Sequence, residues 1–224
     1  MVNVIPATVV RFRSRRQPSS PAPKRQALQF LVVLLGTSPL IWRRIEVVDT
    51  CSFWDLHVAI QDAMGWSDSH LHEFRIAHPQ RGTMECFGIP DPDFPEEHPR
   101  TADWEVPLAG FFNWDTAGHT PSASYLYDFG DGWQHLVTLE AVGAVGRGRL
   151  PRCVDGERAC PPEDCGGLHG FDAFVAAVSD PEHPEHTAML EWYGRPYDPG
   201  AFDAAKVRFS DPRRRLNRML RGQQ

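Results

Sequence analysis

The stretch that decides the fold is Leu28-Gln-Phe-Leu-Val-Val-Leu-Leu35, Gly36-Thr-Ser-Pro39 and Leu40-Ile-Trp-Arg-Arg-Ile-Glu-Val-Val48, followed by Ser52-Phe-Trp-Asp-Leu-His-Val-Ala-Ile-Gln-Asp-Ala-Met64-Gly65. The two runs before residue 49 are rich in aliphatic and β-branched residues and are separated by a Gly/Pro turn, the pattern of a β-hairpin. In the second run Ile41, Ile45 and Val47 fall on one face with Arg43 among them, because side chains alternate along a strand. Beyond Asp49 the period changes. Phe53, Leu56, Ile60 and Ala63 or Met64 recur at helical spacing, Ser52 is placed to cap the first turn, and Gly65 stands where a helix stops.

Working outward, residues 70–77 read as a third strand with His70, His72, Phe74 and Ile76 on one face. Residues 78–123 read as irregular, with Pro90-Asp-Pro-Asp-Phe-Pro95 as an exposed loop and 104–108 as a further short strand. Residues 125–129 and 133–142 make a second hairpin across Gly130-Asp-Gly132, and Trp133, His135, Val137 and Leu139 line one side of it. A Gly-rich link leads to a cysteine-bearing segment, 151–169, and then to a short helix, 170–178, on which Phe171, Phe174, Val175 and Val178 share a face. Asp198-Pro199 and Asp211-Pro212 have the form of cap-and-first-residue pairs that open later helical turns. At the other end, residues 1–26, with Arg11, Arg13, Arg15 and Arg16 and a Pro/Ser-rich stretch, hold too little apolar content for a core and read as a disordered basic arm. The order ββαβ, hairpin, helices predicts one α+β domain over 27–216, a β-grasp-like mixed sheet packed on one helix with added C-terminal helices, and leaves 217–224 as a basic tail. A parallel α/β fold would need strands and helices to alternate, and they do not.

The chain has 224 residues, is 42% hydrophobic and carries seven Trp and 13 Phe, enough for one sizeable core. Its longest apolar run, 30–35, is far too short to span a bilayer, which excludes an integral membrane protein. No charged-then-apolar leader opens the chain, so the expectation is a soluble, cytoplasmic protein whose five cysteines stay reduced. The formal net charge of −6 hides a segregation: residues 1–27 hold six Arg/Lys and no acid, 206–224 hold seven Arg/Lys against Asp211, and 28–205 hold ten basic and 28 acidic residues. So acidic a body repels phosphate backbones, and only the tails can attract nucleic acid, weakly and without sequence preference. A protein or small-molecule ligand is the expected partner, with no role for a membrane.

Several strings together resemble a known family. They are Leu40-Ile-Trp-Arg-Arg-Ile45, the 53–66 helix ending in Gly65-Trp66, His70-Leu-His-Glu-Phe74, Tyr127-Asp-Phe-Gly-Asp-Gly-Trp-Gln-His135, Cys160-Pro-Pro-Glu-Asp-Cys-Gly-Gly167 and Phe202-Asp203. The chain is similar over about residues 27–216 to the plasmid pRiA-four-b ORF-three-like family, also found as a passenger gene of a mycobacterial insertion sequence. The resemblance implies an α+β domain with a poorly defined biochemical role. A resolvase-like label on some members reflects genetic context, and the catalytic-serine and helix-turn-helix layout of a resolvase is missing here, so that activity is not carried over. The arm before Ala27 departs from the family pattern.

Two constellations carry chemistry. Cys153, Cys160, Cys165 and His169 offer three thiolates and an imidazole, ligands that suit a closed structural Zn²⁺ site, inside a Pro/Gly-rich loop able to wrap one. Their gaps of six and four residues are not the paired two-residue knuckles of a zinc ribbon, and the competing reading is of small thiols used in packing. His72 and His135 lie on apolar strand faces and, if their strands are neighbours, converge with Asp128, Asp131 or Glu73 to bind a metal or move protons. The competing reading is of two core histidines bonded to backbone. Glu163-Asp164 beside Gly166-Gly167 either position carboxylates for metal or acid–base work or close a turn and cap the next helix. Asp128-Phe-Gly-Asp131 is a hairpin turn and not a kinase motif, since 28–205 contain no lysine to pair with phosphates. No nucleotide-binding loop is present, and Zn is the one cofactor these residues suggest. The expected function is a mobile-element-associated accessory or binding protein without catalysis. The alternatives are a small metal-dependent enzyme using His72 and His135, or a weak nucleic-acid binder acting through its tails.

Overall fold

The computed structural model describes residues 25–90, 100–113, 120–146 and 148–222. Nearly all of the basic arm, and most of the Pro90–Pro95 loop, lie outside the described residues. Strands β1 (Gln26–Leu34) and β2 (Ile41–Val48) form the hairpin, registered so that Phe30 faces Ile45 and Leu28 faces Val47. Leu28, Phe30, Val32, Leu34, Ile41, Ile45 and Val47 are all buried, as strict alternation requires of a sheet with one covered face. Helix α1 (Phe53–Met64) supplies the cover, burying Phe53, Leu56, Ile60, Ala63 and Met64 in the same core. Its ends follow from sequence. The Ser52 hydroxyl accepts from the Asp55 amide while the Asp55 carboxylate accepts from the Ser52 amide, and Gly65 closes the helix in the left-handed region.

The third strand, β3 (His72–Ala77), is followed by β4 (Met84–Gly88) and β5 (Thr101–Ala102). The second hairpin is β6 (Ser122–Tyr127) with β7 (Trp133–Ala144), and β8 (Arg152–Glu157) completes the sheet. The eight strands run in the order β5-β4-β3-β6-β7-β1-β2-β8, antiparallel at every junction except the short β4–β5 pair. Because β7 also pairs with β1, the hairpin that opens the domain lies between β7 and the edge strand β8. Helices α2 (Gly167–Ser179), α3 (His186–Tyr193) and α4 (Pro212–Gly222) follow, with Phe171, Phe174 and Val178 of α2 buried. The protein is an α+β domain with a mixed sheet packed on one helix and helices added at the C-terminal end. Among the described residues no helix is long and apolar enough to cross a membrane.

Three local readings are corrected. Residues 78–123 are not wholly irregular: β4 pairs with both β3 and β5. The expected strand over 104–108 is instead two 3₁₀ turns, Asp103–Glu105 and Leu108–Gly110. Pro107 has no amide hydrogen to extend a ladder, and buried Asp103 is committed to His72. Asp198-Pro199 opens a tight turn, closed by the Gly200 amide on Asp198, whereas Asp211-Pro212 does start a helix, with Asp211 accepting from the Arg213 and Arg214 amides. Residues 217–222 of the basic tail belong to that helix, α4.

Candidate functional site

Arg43 is buried on the inner face of β2, and burial lowers its pKa, yet no carboxylate among the described residues meets it. Its Nε donates to Ala63 O at the end of α1 (2.9 Å), Nη1 to Trp42 O and Glu157 O (2.8 and 2.9 Å), and Nη2 to Arg158 O (2.9 Å). Four carbonyl dipoles, one at a negative helix end, solvate the charge in place of water. Phe202 lies 3.8 Å from the guanidinium, and a side chain at Gly156 would stand 2.5 Å from the Phe202 ring. Arg43 therefore fastens together β2, α1, the chain after β8 and the segment around residue 202. Between these parts runs a cleft of about 780 Å³. Trp66, Tyr193 and Tyr197 give it aromatic walls, and Asp62, Lys206 and Arg208 give it charge of both signs. The 159–164 loop forms one side, held by Trp66 Nε1 donating to Pro161 O (3.0 Å) and by the Tyr197 hydroxyl donating to Cys160 O (3.1 Å).

Past the cleft this loop folds back onto the β6–β7 turn. Gly167 allows the approach: its φ is +68°, and a Cβ there would stand 2.6 Å from Asp131 O. Asp131 Oδ2 accepts from the Gly166 amide (3.2 Å). The docking sets Asp164 beside Asp128 of the turn and His70, just before β3. His70 Nε2 lies 2.9 Å from Asp164 Oδ1, 3.6 Å from Asp128 Oδ2 and 3.9 Å from Glu163 Oε2. Asp128 and Asp164 both adopt left-handed φ, 55° and 57°, which Asp tolerates better than most residues but which still costs about 1 kcal/mol each. Glu163 is fixed by the Ser67 amide and hydroxyl (2.7 and 3.0 Å) and the Tyr127 hydroxyl (3.1 Å). Burial and the Glu163 charge push the Tyr127 pKa up, so it stays a donor. Among the described residues His70, Asp128 and Asp164 form the group of metal-ligand type whose donor atoms all lie within 4.8 Å of one another.

The family model described as plasmid pRiA4b ORF-3-like protein matches residues 26–206. The chain belongs to that family. An uncharacterized protein of Sinorhizobium fredii (strain NBRC 101917 / NGR234), y4hQ, is 38% identical over 183 residues, 80% of this chain and 84% of that protein. The crystal structure of MM3350, a protein of unknown function from Methanosarcina mazei Go1, has a TM-score of 0.74 at 35% identity and covers 83% of this chain and 98% of its own. Both likenesses cover most of this chain.

Within this pRiA4b ORF-3-like domain the residues singled out from sequence are distributed as follows. His72 and His135 are fully buried, and β6 separates their strands, with Tyr125 between the two rings. His72 Nε2 donates to Asp103 Oδ2 (2.7 Å), and His135 Nδ1 donates to Tyr125 O (3.3 Å). Glu73 is held by Arg75 and Arg100. Asp131 serves loop docking, and Asp128 joins the His70 cluster. Asp164 caps no helix: α2 starts from Gly166 without a side-chain cap. Cys153 lies on β8, its thiol donating to Asp155 O (3.4 Å), Cys160 and Cys165 are half-buried in the loop, and His169 is exposed on α2. These four do not form a group of three or more donors within 4.8 Å. Burial raises the pKa of all three thiols. Sequence reasoning missed His57, which stacks on His72 with ring centroids 3.5 Å apart. The signal was available: Phe53, His57, Gln61 and Met64 lie on one helical stripe, so two polar residues occupy the face that α1 buries.

Proposed function

We propose that this family member is an accessory binding protein, without catalysis of its own, that takes a small molecule or short peptide bearing a planar group in the cleft beside α1. One observation carries the reading. Four of the strings on which the family resemblance rests, through Arg43, Gly65-Trp66, Cys160–Asp164 and Phe202-Asp203, line this single cleft although they are far apart in sequence. Its volume falls in the range of roughly 300–1,000 Å³ that small-molecule sites occupy, and its tryptophan and tyrosine walls offer large contact area with polar tips. The rival enzyme built on His72 and His135 is disfavoured, since a general base must come within reach of substrate and both rings are sealed in the core. The test is an NMR screen of aromatic fragments and tripeptides against the full chain. Binders should shift the indole resonance of Trp66, and Ala201→Trp, which projects a bulky ring into the cleft, should abolish them. Binders that ignore Trp66, or that persist in the filled variant, would sink the proposal.

A further inference from the structure

We propose that His70, Asp128 and Asp164, with Glu163 as a third carboxylate nearby, bind a divalent transition cation where the 159–166 loop meets the β6–β7 turn. The first argument is what these atoms do not bond. The Asp128 side chain is only 9% exposed, and its Oδ1 is taken by the Gly130 and Asp131 amides. Its Oδ2 faces His70 Nε2 at 3.6 Å. His70 Nε2 is buried without a hydrogen-bond partner. Asp164 Oδ1 is 2.9 Å away yet off the direction in which that nitrogen would bond it. In an ordinary ion pair the donor points at its acceptor. Here a ring nitrogen and two carboxylate oxygens surround a shared point, as ligands surround a cation. Buried polar groups are almost always paired, so a buried ring nitrogen left without a hydrogen bond among carboxylate oxygens calls for an occupant.

The second argument is charge. None of Asp128, Glu163 and Asp164 is paired with an arginine or lysine among the described residues, whereas Glu73, Glu140 and Asp62 each are. Three carboxylates gathered around an imidazole repel one another unless a positive charge is supplied. The donor set then selects the ion. One imidazole with carboxylates and no thiolate suits Mn²⁺, Fe²⁺ or Zn²⁺, while Ca²⁺ and Mg²⁺ favour oxygen alone. The supporting contacts hold the ligands in place: Ser67 and Tyr127 fix Glu163, and the turn amides fix Asp128. Asp164 is 69% exposed, so the site is open and keeps coordination positions for an outside ligand, unlike a closed four-thiolate centre. Glu163 and Asp164 also line the large cleft, which would place the cation in contact with whatever the cleft holds.

The experiment strips the full-length protein with a chelator, returns Mn²⁺ or Zn²⁺ alone, and measures stoichiometry by elemental analysis and affinity by calorimetry. One equivalent should bind, and Asp128→Asn, Asp164→Asn and His70→Gln should each weaken it by at least about tenfold. Cys153→Ser, Cys165→Ser and His169→Gln should leave affinity unchanged. Asp164→Asn alters an exposed side chain and should keep the wild-type melting temperature, so it remains decisive if a more buried variant misfolds. Folded wild-type protein that takes up no stoichiometric cation, or Asp164→Asn binding as tightly as wild type, overturns the proposal, as does binding that follows the cysteines. The probe is the cation alone, so the outcome does not depend on whether the cleft takes an organic ligand.

Discussion

His70 and His72 stand two residues apart, each beside a carboxylate, yet the regions built around them obey different rules. Around His72 each carboxylate is held by a donor, although His72 Nδ1 and Asp103 Oδ1 are buried without a hydrogen-bond partner. His72 donates to Asp103, and both side chains are fully buried. The stacked His57 donates through Nε2 to Asp68 (2.8 Å) and accepts the Tyr125 hydroxyl on Nδ1 (2.8 Å), which fixes its tautomer, and Asp68 also meets Arg215 of α4 (3.3 Å). Around His70 the ring nitrogen meets carboxylates that no arginine or lysine among the described residues neutralises. His57, His72 and Asp103 are sealed from water and out of reach of any substrate, so the first region is structural. A network at a cleft edge is free to leave its donors to an outside partner, and the second region is where chemistry is expected.

The largest expected effect tests the sealed region. Burial, reinforced for His57 by its neighbour His72, lowers the pKa values of His57 and His135 to about 4, against about 6.5 in an unfolded chain. As pH falls below about 6.5 the unfolded chain takes up protons that the folded protein refuses. The stability these histidines confer is therefore complete above that pH and is lost progressively towards pH 4, on the order of 3 kcal/mol for each. Urea melts at pH 7 and pH 4.5 should differ by several kcal/mol; equal midpoints would mean that the core histidines are not held neutral. Next, Asp103→Ala removes the partner of His72 and should cost about 3 kcal/mol, because a buried donor is left unanswered. The smallest effect sharpens the contrast from the other side. Asp164→Asn should change stability by no more than about 0.5 kcal/mol, as for an exposed position with no structural duty. If Asp103→Ala and Asp164→Asn cost the same, the distinction between the two regions is wrong.

Much of the fold was legible because it is locally encoded. The β1–β2 alternation, the caps of α1 at Ser52 and Gly65, the β6–β7 hairpin and the apolar stripe of α2 each follow from the spacing of a few residues. Strand β8 was not legible. Its side chains are mostly half-exposed, and what makes it a strand is pairing with β2, aided by ion pairs from Arg152 to Glu46 and from Arg44 to Asp155. The site was half legible. Asp128 and the Glu163-Asp164 pair stood out as carboxylates in turns, but His70 reads from sequence only as the first residue of a strand face. Strand pairing carries Cys153 onto the sheet, whereas Cys160 and Cys165 stay in the loop that follows, a separation that spacing in the sequence does not record.

The sequence by itself determined the first and second hairpins, α1, α2 and which of their faces turn inward, since a period of two or of three to four residues needs only local sterics and the removal of apolar groups from water. It also determined that Arg43 and two histidines would fall on apolar strand faces. Only the tertiary structure decided what those polar groups meet. Arg43 found carbonyls in place of a carboxylate, His72 found Asp103 from a segment read as irregular, and His70 found Asp128 and Asp164 because two glycines let one loop touch a distant turn. Such partners are set by long-range docking of backbone, which no local pattern records, and they separate a buried histidine that holds the fold from one placed to bind an ion.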